Sequence, residues 1–404
     1  MKGFSIALVN PPSSRLTSDL VFPPLGILYL YSALEKNGFK VRYYDCAGWA
    51  AFPDIQENII GITMTTPQAG WAEEFARGHK AKGKLTIAGG CGTVSIKDKA
   101  SFDFISRGEQ EFTLPAFFNA LPWWGLAGGD IKVWERQLAN PTLPDIDKIP
   151  FPKRELIYDA YDYRIEGAKA ATMITSRGCP FQCSFCVDGR IATTRVRSIE
   201  NVNQEIDSIY GLGYRAVMFF DDIFTYSRER VGGIGGHLKS KGMPYRCFTH
   251  VKYAKKIAST LKNTGCVEVG IGIESGDDGI LQKIKKGFTV SQAIESIKAL
   301  KAEGLRVKAF LMIGLPGETE ESANKIREFL DKVKPDDFDV SIYMPYPSTE
   351  IWDSPKEFGI NFDKGQRGYY KADPSRYSQS VSTDSLSASR ILELRNSIEK
   401  EFKA

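Results

Sequence analysis

Short apolar runs alternate with stretches whose apolar residues return every three or four positions through the first 120 or so residues. Residues 4–9 are apolar but for Ser5, are followed by Asn10-Pro11-Pro12 and read as a buried strand. Ile27, Leu30, Tyr31 and Leu34 then stand at i, i+3, i+4, i+7, the spacing of an amphipathic helix, which Gly38 closes. Phe39, Val41 and Tyr43 follow at period two, then an apolar run at 59–64, a helix over about 69–82, a strand at 85–88 and a short strand at 102–106. Such alternation predicts a parallel sheet with helices on both faces, whose ligands bind at the strand carboxyl ends. Those ends carry Asn10-Pro11-Pro12, Thr65-Thr66, Gly89-Gly90-Cys91-Gly92-Thr93 and Arg107-Gly108-Glu109. Glycine there lets a backbone approach a bulky ligand, and equally makes tight turns.

From 171 the alternation resumes with a longer period. Strands are expected at 172–175, 216–220, 245–249, 267–273, 306–313 and 339–343, with helices between them such as Val290, Ile294, Ile297 and Leu300 on one face. Six strand–helix units are too few for a closed eightfold barrel. Between the two regions, 121–170 holds Trp123-Trp124, Gly-Gly-Asp and Pro141, Pro144, Pro150 and Pro152, which predicts a stiff linker. The last part, 346–404, is expected to be a cap or substrate region, with Tyr343, Tyr346 and Tyr369-Tyr370 as pocket or packing aromatics and a charged helix bearing Ile391, Leu394 and Ile398 on one face.

Composition narrows the class. The 404 residues exceed one ordinary core, since domains run about 100–200 residues. The 42% apolar and 25% charged fractions are those of a globular protein, and no apolar run reaches the roughly 18 residues that span a bilayer. The N-terminal apolar run is too short for a signal peptide. Seven cysteines without disulfide-like pairing fit a reducing cytoplasm. A net charge of +4 argues against a strong nucleic-acid footprint, and Lys252-Tyr253-Ala254-Lys255-Lys256 reads as a solvated helix face.

Cys179, Cys183 and Cys186 read C-x3-C-x2-C. Half a zinc ribbon would need a second cysteine or histidine pair, and Cys46, Cys91, Cys247, Cys266, His79, His237 and His250 supply none in spacing. An iron-sulfur cube that only carries electrons takes four protein ligands. Three thiolates leave one iron open for something that is not protein.

With Arg177-Gly178-Cys179-Pro180 at its entrance and Phe185 before the last cysteine, this loop resembles that of the radical S-adenosylmethionine (SAM) superfamily. The resemblance implies a [4Fe-4S] cluster on the three cysteines, SAM on the open iron and a 5'-deoxyadenosyl radical made from it. It also implies an external one-electron reductant of flavodoxin or ferredoxin type, and a partial (β/α)6 TIM-type barrel over 171–345. By that resemblance Asp221 or Asp222 meets the SAM amino group, Glu274 and Ser275 the ribose, and Gly314, Pro316 and main-chain groups of Phe185 the adenine. Each has a plainer role: helix caps for the aspartates, turn positions for Gly314 and Gly317, and a first-turn acid for Glu318.

Upstream, Asn-Pro-Pro, Pro-Pro-Leu-Gly-Ile-Leu-Tyr-Leu, Gly-Ile-Thr, Gly-Gly-x-x-Thr and Arg-Gly-Glu occur in the order found in the cobalamin (B12)-dependent radical SAM family. That implies a Rossmann-like cobalamin domain over 1–120, with Asn10, Pro11, Thr65, Thr66, Gly89, Gly90, Thr93, Gly108 and Glu109 along the ligand edge. Two departures stand out: Gly92 replaces a histidine often found in the glycine loop, and 45–58 is short for a helix and its turns. No D-x-H-x-x-G offers a histidine to cobalt, so the expected cobalamin has none on its lower face. The resemblance implies a methyltransferase acting on an unactivated carbon of a small molecule or peptide through the 5'-deoxyadenosyl radical and methylcobalamin. The alternatives are a cobalamin-dependent cyclase or rearrangement enzyme, and a radical SAM enzyme whose first domain no longer uses cobalamin. A methylthiotransferase would want three N-terminal cysteines where Cys46 and Cys91 are two.

Overall fold

The structure is a computed structural model describing residues 4–13, 18–48, 51–121, 131–139, 141, 145–187, 194–365 and 381–403. Trp123-Trp124, the Gly-Gly-Asp tripeptide, Pro144 and Tyr369-Tyr370 lie outside the described residues. The chain divides into two compact units, Met1–Asp162 and Tyr163–Ala404.

The first unit is a five-stranded sheet of β1 (Ser5–Asn10), β2 (Lys40–Asp45), β3 (Ile59–Thr63), β4 (Leu85–Gly89) and β5 (Phe104–Ile105) in the order β2-β1-β3-β4-β5. All four pairings are parallel. One face packs Ile6, Leu8 and Ile87 against Leu28 and Leu34 of α1 (Leu25–Lys36) and Phe117 and Phe118 of α3 (Thr113–Ala120). The other packs Ala7, Val9, Ile60 and Ile62 against Phe75 and Ala76 of α2 (Ala69–Lys80). Burial on both faces is why β1, β3 and β4 are apolar runs, whereas the edge strand β2 alternates. No helix is found among the described residues between β2 and β3, so the short segment seen in the sequence is a helix-free crossover. Of the span expected as a linker, Leu138 on α4 (Ile131–Ala139), Ile157 and Tyr161 lie in the first unit's core. Pro152 is buried there, and Pro141 and Pro150 are half-buried.

The second unit is a seven-stranded sheet in the order β14-β13-β12-β11-β10-β7-β6, a curled half-barrel. β6 (Arg164–Ile165) pairs antiparallel with β7 (Ala168–Met173). From β7 the sheet is parallel through β10 (Ala216–Phe219), β11 (Tyr245–Thr249), β12 (Cys266–Glu274), β13 (Arg306–Ile313) and β14 (Asp337–Ile342). A separate two-stranded clip, β8 (Ser176–Arg177) with β9 (Arg195–Val196), brackets the cysteine loop. The outer helices are α5 (Ile199–Gly211), α6 (Arg228–Ser240), α7 (Val251–Asn263), α8 (Asp278–Lys283), α9 (Val290–Ala302) and α10 (Glu320–Val333). Val307, Ala309, Leu311 and Ile313 are buried on the helix side of β13, while Lys308, Phe310 and Met312 are half-buried on the concave side.

β14 ends the sheet, and an uncovered edge invites pairing with another chain. After α11 (Glu350–Asp353) and the hairpin of β15 (Ile360–Phe362) with β16 (Val381–Thr383), α12 (Ala388–Phe402) covers that edge. Arg395 Nε donates to the Val340 carbonyl at 3.0 Å, and the Val340 N–H reaches Glu399 Oε1 at 3.5 Å. Arg395 and Glu399 are themselves paired at 2.7 Å. The C-terminal helix thus satisfies the strand's outward backbone groups.

Two predictions follow from this packing. Arg395→Met leaves the Val340 carbonyl without its donor and Glu399 without its buried cation, and should cost about 3 kcal/mol, seen as a lower denaturant midpoint at unchanged m. The second concerns Glu318, which is fully buried after β13, where it accepts from Ser322 Oγ at 2.6 Å. Burial pushes its carboxyl up to about 7 from 4.5. Because the folded value lies above the unfolded one, ionising Glu318 costs stability that is absent below about pH 4.5 and grows as pH rises to about 7. Glu318→Gln should therefore raise Tm by more at pH 8 than at pH 5, with the difference about 5 °C.

Candidate functional site

The cysteine loop leaves the carboxyl end of β7, and its entrance is held by buried charge. Asp221, 1% exposed, accepts the Thr175 and Ser176 N–H groups at 2.5 and 3.1 Å and the Thr175 hydroxyl. Arg230 donates to the Arg197 carbonyl, and Arg197 is ion-paired with fully buried Glu205. Asp221 and Asp222 are both expected near the SAM amino group, and both Asp221 oxygens bond to the loop entrance. Asp222 is exposed, and its charge reaches Cys179.

Further along, Phe181 stacks on His250 with centroids 3.8 Å apart. His250 Nδ1 accepts the Lys252 N–H at 3.2 Å at the start of α7. Burial, then the nearby Lys286 charge, lower its pKa to about 3, so the ring is a neutral prop at physiological pH. Ser184, between the second and third cysteines, is clamped on both sides: its N–H donates to the Ile284 carbonyl at 3.1 Å and its carbonyl accepts from Ile351 N at 3.3 Å.

None of the three cysteines forms a disulfide. Burial pushes the thiols of Cys179 and Cys183 up, and Lys286 acts against the shift at both. Among the described residues no three His, Cys, Asp or Glu side chains are gathered tightly enough to hold one metal ion. A cube binds each thiolate to a different iron, and so asks for a wider triangle than a single ion does.

Lys286 is the residue the sequence reading missed. It is 6% exposed, its Nζ lies 2.9 Å from Glu274 Oε1, and its charge reaches Cys183 and Cys186 as well as Cys179. Burial opposes that charge, but Glu274 and the thiols hold its pKa above the ordinary lysine value. Only its place in a run of lysines after α8 was visible beforehand, and such a run reads as surface. Phe185 lies against it, with Nζ 5.7 Å from the ring centroid.

Glu274 ends β12 in the left-handed region at φ 71°, where the register with β13 shifts. A non-glycine residue there is strained, and such strain gathers at functional sites. Gly272 makes the room: a Cβ there would stand 2.6 Å from Glu274 Oε1 and 3.3 Å from Lys286 Nζ. Ser275 is fully buried, and its hydroxyl accepts the Asp277 N–H at 3.1 Å. Gly314, at φ 87°, lies under Ile391 of α12 and Val381 of β16, and Pro316 beside it is buried. The C-terminal segment thus covers the turn expected to meet adenine.

In the first unit the nine expected cobalamin-edge residues stand at the carboxyl ends of β1, β3, β4 and β5. Asn10 Nδ2 donates to Asp45 at 2.8 Å, and the Pro11 carbonyl accepts from Gln68 Nε2 at 2.5 Å. The Thr65 N–H and hydroxyl both donate to Gln68 Oε1 at 2.8 Å, Thr66 Oγ1 accepts from Ser95 at 3.2 Å, and the Thr93 hydroxyl donates to the Gly90 carbonyl at 3.0 Å. Gly89 is half-buried, Gly90 and Gly108 have φ of 90° and 66°, and Glu109 is half-buried behind β5. A side chain at Gly92 would overlap the Thr65 backbone, so the glycine standing in the usual histidine position is a steric requirement of this loop.

The family profile of the Radical SAM superfamily matches residues 173–330. An uncharacterized methyltransferase of Pyrococcus horikoshii is 29% identical over 405 residues, covering 93% of this chain and 88% of its own length. An anaerobic magnesium-protoporphyrin IX monomethyl ester cyclase of Cereibacter sphaeroides is 25% identical over 82% of this chain, which spans 60% of that protein. Among solved structures, the methyltransferase TsrM of Kitasatospora setae, with cobalamin and a [4Fe-4S] cluster bound, superposes with a TM-score of 0.71 at 17% identity, over 89% of this chain and 80% of its own. Residues 173–330 thus match a radical SAM domain, and the chain shares the fold of TsrM.

Proposed function

We propose that the chain is a cobalamin-dependent radical SAM methyltransferase acting on an unactivated carbon. The observation that carries the radical half is the buried Lys286–Glu274 pair facing the three thiols. An ammonium has three donors, and Glu274 takes one. The others suit the carboxylate of SAM, while exposed Asp222 suits its ammonium. The donor set also fits the cluster: three cysteines outside any disulfide stand on one clamped loop beside a cation that favours thiolate. When bound, the cluster supplies the electron that cleaves SAM.

The first unit's residues fit a bulky ligand. Its strand-end turns bond to one another and leave glycine backbone at the edge, and Ser13 Oγ, 7% exposed just after β1, is a buried hydroxyl lacking a partner among the described residues. Cobalamin, when bound, supplies a methyl group. No histidine of this unit offers itself to cobalt from that edge: His79 is buried in α2, its Nδ1 3.0 Å from the Phe75 carbonyl and its ring against Phe75. The methyltransferase name of the Pyrococcus relative favours methyl transfer. The cyclase relative keeps ring closure with the same cofactors as the second reading.

Lys286→Met should raise the Kd for SAM about tenfold or more while the anaerobically reconstituted protein keeps its iron, since none of the cluster's ligands is touched. Unchanged SAM affinity would remove Lys286 from the site. Protein purified without oxygen from cobalamin-fed cells should carry about one cobalt per four irons. Iron without cobalt would reduce the first unit to a scaffold.

A further inference from the structure

The run Lys252-Tyr253-Ala254-Lys255-Lys256 occupies the first turns of α7, and the structure sets it beside the cysteine loop. His250, the N-cap of α7, stacks on half-buried Phe181, which stands between Cys179 and Cys183. Tyr253 meets the same ring at 6.2 Å, and Lys252 Nζ lies 5.9 Å from its centroid. From the neighbouring helix Arg228, at the start of α6, donates from Nη2 to the Lys256 carbonyl at 2.6 Å. Four exposed cations, Arg228, Lys252, Lys255 and Lys256, are thus gathered on two helix starts at the carboxyl ends of β10 and β11.

Lys255 is matched, reaching Glu295 on α9 at 3.3 Å. Arg228, Lys252 and Lys256 have no carboxylate partner among the described residues. The arrangement works against the helix that carries it. Lys252 and Lys256 are four apart, where like charges repel, and α7 has no acid in its first turn, where the open amide groups favour one. No ion pair among the described residues offsets that cost for these two lysines, so the complementary charge is left to a partner.

A cluster that cleaves SAM must first take up one electron, and the radical SAM match brings with it an external reductant. We propose that the cation field of Arg228, Lys252 and Lys256 around Phe181 is the docking surface for a small acidic protein that delivers this electron. The donor is oxidised by one electron and the cluster reduced by one, with no bond made or broken and no proton moved. Electron-carrier encounters are small in area and guided by charge, which unpaired cations around one apolar ring supply. A nucleic acid asks for a longer track of free cations, and here Lys255 is already paired. The proposal rests on the radical SAM reading for the fate of the electron, while the docking is read from the transfer alone.

The test follows reduction of the anaerobically reconstituted full chain by flavodoxin hydroquinone, an acidic one-electron donor, through loss of cluster absorbance in stopped flow. The second-order rate constant should fall about tenfold or more as salt is raised. Lys252→Glu and Lys256→Glu should each lower it about three- to tenfold at low salt and flatten the salt dependence. Lys332→Glu, the same charge change in the last turn of α10, should leave it within about twofold. Reduced methyl viologen, a small cation, should reduce the α7 variants as fast as wild type or faster. A flavodoxin rate indifferent to salt or to both lysines overturns the proposal. Equal slowing with methyl viologen would place the lysines in the cluster site itself and also overturn it, as would binding of a single-stranded oligouridylate that the same variants abolish, which assigns the face to nucleic acid. SAM cleavage by dithionite-reduced wild type is measured separately: its absence beside rapid, salt-dependent reduction by flavodoxin sinks the radical reading and leaves the docking surface standing.

Discussion

A lysine and a glutamate buried against each other at 2.9 Å set the terms for the rest of the second unit. Two charges taken out of water are costly unless both are compensated, so each partner of such a pair depends on the other staying in place. Its demands reach outward. Gly272 has no side chain because the pair fills that space, and Glu274 adopts a left-handed backbone to deliver its carboxylate. Lys285, next to the lysine, is also left-handed and reaches Glu350 on α11 at 2.7 Å. The lysine faces the cysteines because Ser184 of their loop is bonded to Ile284 on one side and to Ile351 on the other.

That arrangement joins three segments distant in sequence: the cysteine loop after β7, the turn after α8 and the start of α11. Each contributes a backbone or ionic bond to the knot. Below it, the concave face goes from matched charge at Lys308, Asp337 and Asp339 to the rings of Phe248 and Phe310, and from these to the ion pair. Polarity along the strands is therefore graded. On the outside, α12 takes the hydrogen bonds of the exposed strand β14, so the half-barrel ends on a covered edge without closing on itself.

The first unit follows a different economy. Its strand-end turns satisfy one another through Gln68, Thr65, Asn10 and Asp45, and Gly90 and Gly92 are fixed by close backbone approach. Gly92 is the instructive case. Set against the usual pattern it looked like a lost ligand, whereas the packing of its turn on Thr65 leaves space for nothing larger.

Local periodicity determined most of the architecture from sequence: strands at 245–249 and 306–313 fall where the apolar pattern puts them, because burial on the helix side dictates every second residue. The cysteine spacing determined the chemistry of the loop, since three thiolates in eight residues leave few other uses. Tertiary structure decided what local spacing cannot encode. Asp221 and Asp222 are adjacent and chemically identical, yet one is buried under Thr175 and Ser176 and the other faces solvent near Cys179, a difference made by a neighbouring strand. Gly314 is a turn glycine in sequence, and only the return of α12 and β16 covers it. Lys286 stands in a lysine run that reads as surface, and becomes a buried cation only when the turn after α8 folds over Glu274 and the cysteine loop. Period and spacing are properties of contiguous residues, whereas burial and charge pairing belong to segments that meet only in the fold.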